Sequence, residues 1–99
     1  MGKSSKTFQY QATMSINRAE FTRKVVLNEN LTKKDLRVLM HLMTEIDTRD
    51  YRSISKKSIA TTLNLSKKEV TEAIYNLCIQ NIIEEGDSDT VRGGYKTLF

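Results

Sequence analysis

Apolar residues recur along this chain with two different periods, and the change of period divides it into elements. From Phe8 to Ile16 they alternate strictly, with Phe8, Tyr10, Ala12, Met14 and Ile16 on one side and Gln9, Gln11, Thr13 and Ser15 on the other, which predicts a half-buried strand. A strand of this kind is unstable alone, so it is expected to cover the edge of another sheet or to pair with a second copy of itself. Beyond it the period lengthens. Asn17 reads as an N-cap, and a helix is expected from Arg18 to about Leu27 with Phe21, Val25 and Val26 facing inward. Asn28-Glu29-Asn30 breaks it. Thr32-Lys33-Lys34-Asp35 then has the spacing of a capping box, which opens a second helix, the longest, to about Asp47. Its apolar positions Leu36, Val38, Leu39, Met40, Leu42, Met43 and Ile46 cover more than half the circumference and leave Arg37, His41, Thr44 and Glu45 on a narrow polar face. So wide a stripe predicts the central helix of a bundle, with part of it available for a dimer contact.

Thr48-Arg49-Asp50 reads as a turn and Tyr51 to Ile54 as a short strand. The next stretch, Ile54 to Asn81, predicts two helices joined by a tight turn. Ser55 is the N-cap of the first, in which Ile59, Ala60 and Leu63 share one face. Asn64 falls where the chain must turn, and asparagine tolerates a left-handed backbone. Ser66-Lys67-Lys68-Glu69 is a second capping box and starts a helix to Asn81. Val70, Ala73, Ile74 and Leu77 lie on its apolar side, whereas Lys67, Lys68, Thr71, Glu72, Tyr75 and Asn76 are expected on the outer one. Ile82 to Glu85, the loop DSDTVRGG and Tyr95 to Phe99 close the chain as a hairpin. Gly93-Gly94 serve its backbone, because no Lys-Ser/Thr or helix start follows to make a phosphate loop.

Ninety-nine residues suffice for one small domain, and 38% hydrophobic residues without proline favour a folded, helix-rich one. The expected architecture is α+β and mainly helical. It has a basic tail over 1–7, expected to be flexible, and a single domain over 8–99: an N-terminal strand and helix (8–30), a helical core (31–81) and a terminal hairpin (82–99). The formal net charge of +4 is modest, so its distribution carries more information. Residues 1–34 hold seven Lys or Arg against two acids, and residues 35–99 nine against ten. Within 51–71, however, Arg52, Lys56, Lys57, Lys67 and Lys68 face Glu69 alone. Such clustering is expected where a polyanion docks, although solvated lysine faces would look the same. Cys78 is the sole cysteine, so no disulfide can form within the chain, and a helical position suggests a small hydrophobe in a reducing compartment. His41, the sole histidine, reads as a surface residue and not as a metal ligand or base. No paired acid and base, nucleophile elbow, metal cluster or nucleotide loop is visible, so neither an enzyme nor a cofactor is expected. With no signal-like apolar run and no membrane-length stretch, a cytoplasmic location is expected.

Ile59-Ala60, Leu63-Asn64-Leu65-Ser66 and the series Val70, Ala73, Ile74, Leu77, followed by Ile82-Ile83-Glu84-Glu85-Gly86, resemble the helix pair and first wing strand of the winged helix-turn-helix superfamily. Within it, the run from about Met14 to Leu98 looks most like the small plasmid and phage replication proteins of Gram-positive bacteria, and more loosely like the MarR-type regulators. The resemblance implies a three-helix core with a β-hairpin wing, and sequence-specific binding of double-stranded DNA in transcription regulation or replication initiation. The helix from Ser66 would enter the major groove, Lys67, Lys68, Thr71 and Tyr75 reaching base edges or flanking phosphates. Ser55, Lys56, Lys57 and Ser66 at the helix starts, Arg52 from the strand and Arg92 from the wing would fix register on the backbone. Two features depart from that pattern. Glu72 stands where a basic or small polar residue is usual, unfavourable in the groove unless it accepts from a cytosine amine. The wing is acidic, with Glu84, Glu85, Asp87 and Asp89 against Arg92 and Lys96. No C-terminal helix is expected after the last strand, and a homodimer is expected to use the N-terminal strand and helices. The alternative is the same fold used for protein contacts without reading DNA.

Overall fold

In the computed structural model, which describes residues 16–86 and 94–99, helix α1 (Arg18–Phe21) begins where the Asn17 side chain accepts the amide hydrogen of Glu20 at 3.1 Å. The helix runs directly into a π-helical turn, Thr22–Val26, closed by the amide of Leu27 donating to the Thr22 carbonyl at 2.9 Å. Val25 is buried, but Val26 is 64% exposed, contrary to the inward position expected for it. Consecutive helical residues point about 100° apart, so the core can take only one of the two valines. Phe21 packs edge-on against Phe99 with ring centroids 5.3 Å apart. The expected tail over 1–7, all of the expected N-terminal strand but Ile16, and Asp87–Gly93 in the hairpin loop lie outside the described residues.

Helix α2 spans Lys33–Leu42 behind a complete Thr32/Asp35 capping box, and so ends five residues before Asp47. The Thr44 hydroxyl donates to the His41 carbonyl at 2.6 Å, and the amides of Thr44 and Glu45 reach back only three residues, to His41 and Leu42. The hydroxyl shares that carbonyl with the Thr44 amide, and the last turn tightens from four-residue to three-residue bonds. The buried stripe is correspondingly narrower than expected: Val38, Leu39, Leu42 and Ile46 are buried, whereas Leu36 and Met40 are exposed. Asp47 then accepts the amides of Arg49 and Asp50, at 3.0 and 3.4 Å, and turns the chain into strand β1, Arg52–Ser53.

Helix α3 (Lys56–Leu63) starts at Ser55, whose hydroxyl accepts the Ser58 amide hydrogen at 3.1 Å. It ends at Asn64, left-handed at φ 58°, with the Leu65 amide donating to the Ala60 carbonyl at 2.9 Å. Helix α4 (Lys67–Ile79) is the longest among the described residues. It stops short of Asn81, which is also left-handed (φ 60°), and the Ile82 amide donates to the Leu77 carbonyl at 3.0 Å. Both helices thus end in the same way, a six-to-one bond closed over an asparagine that stands in for the usual glycine.

Strands β2 (Ile83–Glu85) and β3 (Gly94–Thr97) complete an antiparallel sheet of order β1-β3-β2. Ile83 pairs with Thr97, Glu84 with Lys96 and Glu85 with Tyr95 on one side of β3, while Arg52 pairs with Tyr95 on the other. The fold is α+β, with four α-helices and this small sheet among the described residues. One core joins them: Val38, Leu39 and Leu42 from α2, Ile59 from α3, Val70, Ala73, Ile74 and Leu77 from α4, and Ile82, Ile83, Tyr95 and Phe99 from the hairpin. No helix of the described residues is long and apolar enough to cross a membrane.

Candidate nucleic-acid interface

The four-sided environment of α4 follows from its sequence at about 100° per residue. Val70, Ala73, Ile74 and Leu77 form the line buried against the core. Lys67, Thr71 and Tyr75 lie on the flank toward the sheet, Lys68 and Glu72 point outward, and Glu69, Asn76 and Gln80 occupy the remaining flank. Lys67, Lys68, Thr71, Glu72 and Tyr75 are all exposed, Tyr75 to 67%.

Two hollows run between α4 and the sheet. One, of about 360 Å³, is bordered by Ser55, Lys56 and Lys57 at the start of α3, Lys67 at the start of α4, and Glu85 and Tyr95 on the strands. The other, of about 470 Å³, carries Thr71, Tyr75 and Cys78 from α4 along one wall and Ile83, Glu84 and Leu98 along the other. Of the residues expected at a DNA surface, Ser55, Lys56, Lys57, Lys67, Thr71 and Tyr75 therefore border one continuous concave side. Ser66 caps α4, accepting the Glu69 amide hydrogen at 3.0 Å. Lys68 and Glu72 border neither hollow; the Lys34 ammonium is pushed above its ordinary range by its pairing with Glu69 first and by the Glu72 charge least. Arg92 lies outside the described residues.

Ion pairing sorts the cations into two groups. Arg52 approaches Asp47 at 3.5 Å, a carboxylate it shares with Arg49, and Lys34 pairs with Glu69. Lys57, Lys67 and Lys68 enter no ion pair among the described residues. The acid on the sheet is partly satisfied. Glu84 accepts from the Tyr51 hydroxyl at 2.8 Å, and the Lys96 ammonium stands 4.8 Å over the same tyrosine ring. Burial, then Glu85, pushes the Cys78 thiol up, which disfavours the reactive thiolate at the hollow.

Asn76, expected on the outer side, is instead half-buried on the flank away from the hollows, where its side-chain amide donates to the Asn30 carbonyl at 3.0 Å and to Asp35 Oδ2 at 2.7 Å. Its two partners are a buried carboxylate and a loop carbonyl, which outcompete water for a short amide. His41, expected at the surface, is half-buried, with Nε2 3.4 Å from a Glu45 carboxylate oxygen. Among the described residues no three His, Cys, Asp or Glu side chains group as a metal site. Bracing of the inter-helix turn from α2 has no signature in local spacing: Arg37 donates to the Leu63 carbonyl at 2.8 Å, and Lys34 reaches Glu69 in the capping box.

Glu69 has a titration that reports on this brace. The Lys34 pairing first, and the Ser66 amide second, lower its carboxyl from the ordinary 4.5 to about 2. A depressed carboxylate contributes stability that is present above pH 4.5 and lost as pH falls through about 2. A carboxyl NMR titration should place the Glu69 midpoint near 2, and Lys34→Met should move it upward; a midpoint unmoved by that substitution would break the assigned pairing.

Comparison of the chain with protein-family models, with curated proteins and with solved structures finds no match.

Proposed function

We propose that this protein is a winged helix-turn-helix module that binds double-stranded DNA non-covalently, without cofactor, in the cytoplasm. In this reading α4 lies in the major groove with its first turn leading, α3 and α4 form the helix-turn-helix, and β2 and β3 form the wing. The observation that carries it is the set of lysines Lys57, Lys67 and Lys68 at two helix starts, without an ion pair among the described residues and alongside the exposed Thr71 and Tyr75. Helix starts and free ammonium groups both favour phosphate oxygens. Ser55, Ser66, Lys56, Arg52 and Arg92 are assigned to the backbone, and Glu72 to a cytosine amine. The role is transcription regulation or initiation of plasmid or phage replication, and selection of preferred duplexes from random DNA separates the two by showing palindromic or directly repeated sites.

A module of this size buries roughly 600–1,000 Å² on DNA, so a second copy, docked through the N-terminal strand and helices, is proposed to complete the affinity. Titrating salt against binding to generic duplex is the direct test. The logarithm of affinity should fall with a slope of roughly −0.9 per phosphate neutralised. A flat response would favour the second reading, a module for protein contacts, to which the exposed Val26, Leu27 and Met40 and the acids Glu84 and Glu85 lend support.

A further inference from the structure

The flank of α4 that faces away from the hollows is held at three levels by one continuous stretch of chain, residues 24–35. At the helix start, the Lys34 ammonium pairs with Glu69. In the middle, Asn76 donates to the Asn30 carbonyl and to Asp35 Oδ2, and that same oxygen accepts the Thr32 amide hydrogen at 2.9 Å. At the end, Asn28 Nδ2 donates to Gln80 Oε1 at 3.1 Å, and Lys24 Nζ donates to the Asn81 carbonyl at 2.8 Å. By helical geometry Glu69, Asn76 and Gln80 fall within roughly 40° of one line, spread over roughly 16 Å of axis, and Lys67, Thr71 and Tyr75 are centred nearly opposite.

Apolar contacts of Val70, Ala73, Ile74 and Leu77 resist separation of α4 from the core, but burial is non-directional and resists small rotations and slides only weakly. Hydrogen bonds lose strength steeply with misalignment. The Asn76 bond is the one whose charged acceptor, the Asp35 carboxylate, is buried away from competing water. Reading a base edge requires side chains held to within about 0.5 Å, whereas phosphate attraction acts over a screening length of about 10 Å at 0.1 M salt. A loosened α4 would thus keep its general attraction to DNA and lose its ability to tell one duplex from another.

We propose that residues 24–35 form the positioning element of the reading face, with Asn76 and Asp35 as its fixed point, and that this polar seam sets discrimination among duplexes and not overall affinity for nucleic acid. The inference rests on the DNA-binding reading above. Its test uses the full chain, wild type, Asn76→Leu and Asn28→Ala, with binding to a selected duplex and to a random duplex measured over a salt series, and amide exchange of Leu77 to Asn81 measured without DNA. The specific-to-random ratio should fall by about tenfold in Asn76→Leu and roughly threefold in Asn28→Ala, the scales of a charged and a neutral hydrogen bond. The salt slope should stay constant, and exchange at the end of α4 should quicken. A purely structural role would weaken both duplexes by one common factor, the folded fraction, and that result overturns the proposal. Should Asn76→Leu fail to fold, Asn28→Ala at the helix end decides by the same ratio. If the wild-type chain shows no salt-dependent binding, the functional reading fails, and the exchange measurement alone then decides the grip: unchanged exchange in Asn28→Ala overturns it.

Discussion

Alanine at Lys67 or Lys68 should weaken binding to a selected duplex by about 1 to 3 kcal/mol, roughly 5- to 150-fold, if that lysine reads a guanine. If it meets only phosphate, affinity should drop for every duplex alike, and the salt slope should fall by about one. Both side chains are exposed on the first turn of α4, and neither is committed to a carboxylate among the described residues, so removing them leaves no buried group without a partner. Folding should therefore be unaffected, which makes the loss readable as binding. Arg52→Ala is the contrast. Its guanidinium already lies 3.5 Å from Asp47, so part of its charge is offset before any DNA arrives, and a smaller change is expected. Affinity unchanged in both lysine variants would remove this side of α4 from the interface.

The features most legible in the sequence were those encoded within four or five residues. Thr32 with Asp35 and Ser66 with Glu69 are capping boxes in spacing and in geometry, and Asn64 is left-handed where a turn was needed. What local pattern could not supply was the choice between equivalent alternatives. Apolar periodicity marks Val25 and Val26 alike, and the turn that follows the Phe21 contact with Phe99 puts Val25 in the core and Val26 outside it. It also extended α2 to Asp47, because a single threonine hydroxyl turning onto the His41 carbonyl leaves no trace in hydrophobic spacing. Asn76 was misplaced for a related reason. A polar residue beside an apolar stripe looks solvent-facing until Asp35, 41 positions away, is brought against it. The lysines and Tyr75 were legible because exposed residues on a capped helix owe their position to that helix alone.

Leu39→Ala should destabilise the protein by about 2 to 5 kcal/mol, while Met40→Ala, one position on, should cost almost nothing in an isolated chain. Leu39 is fully buried in the α2–α4 core, and its truncation leaves a cavity that the surrounding side chains close only in part. In a domain of this size each kcal/mol lowers the thermal midpoint by roughly 4–8 °C, so the two variants should separate clearly in a melting experiment. Met40 is 58% exposed and has little apolar contact to lose within one copy. Its response is therefore a test of the proposed second copy as well as of the core. If α2 is covered by a partner, Met40→Ala should lower the midpoint in a way that fades on dilution, since association stabilises only the folded, paired state. A midpoint independent of both protein concentration and the Met40 side chain would leave α2 uncovered, and the second copy would then have to dock elsewhere or be absent.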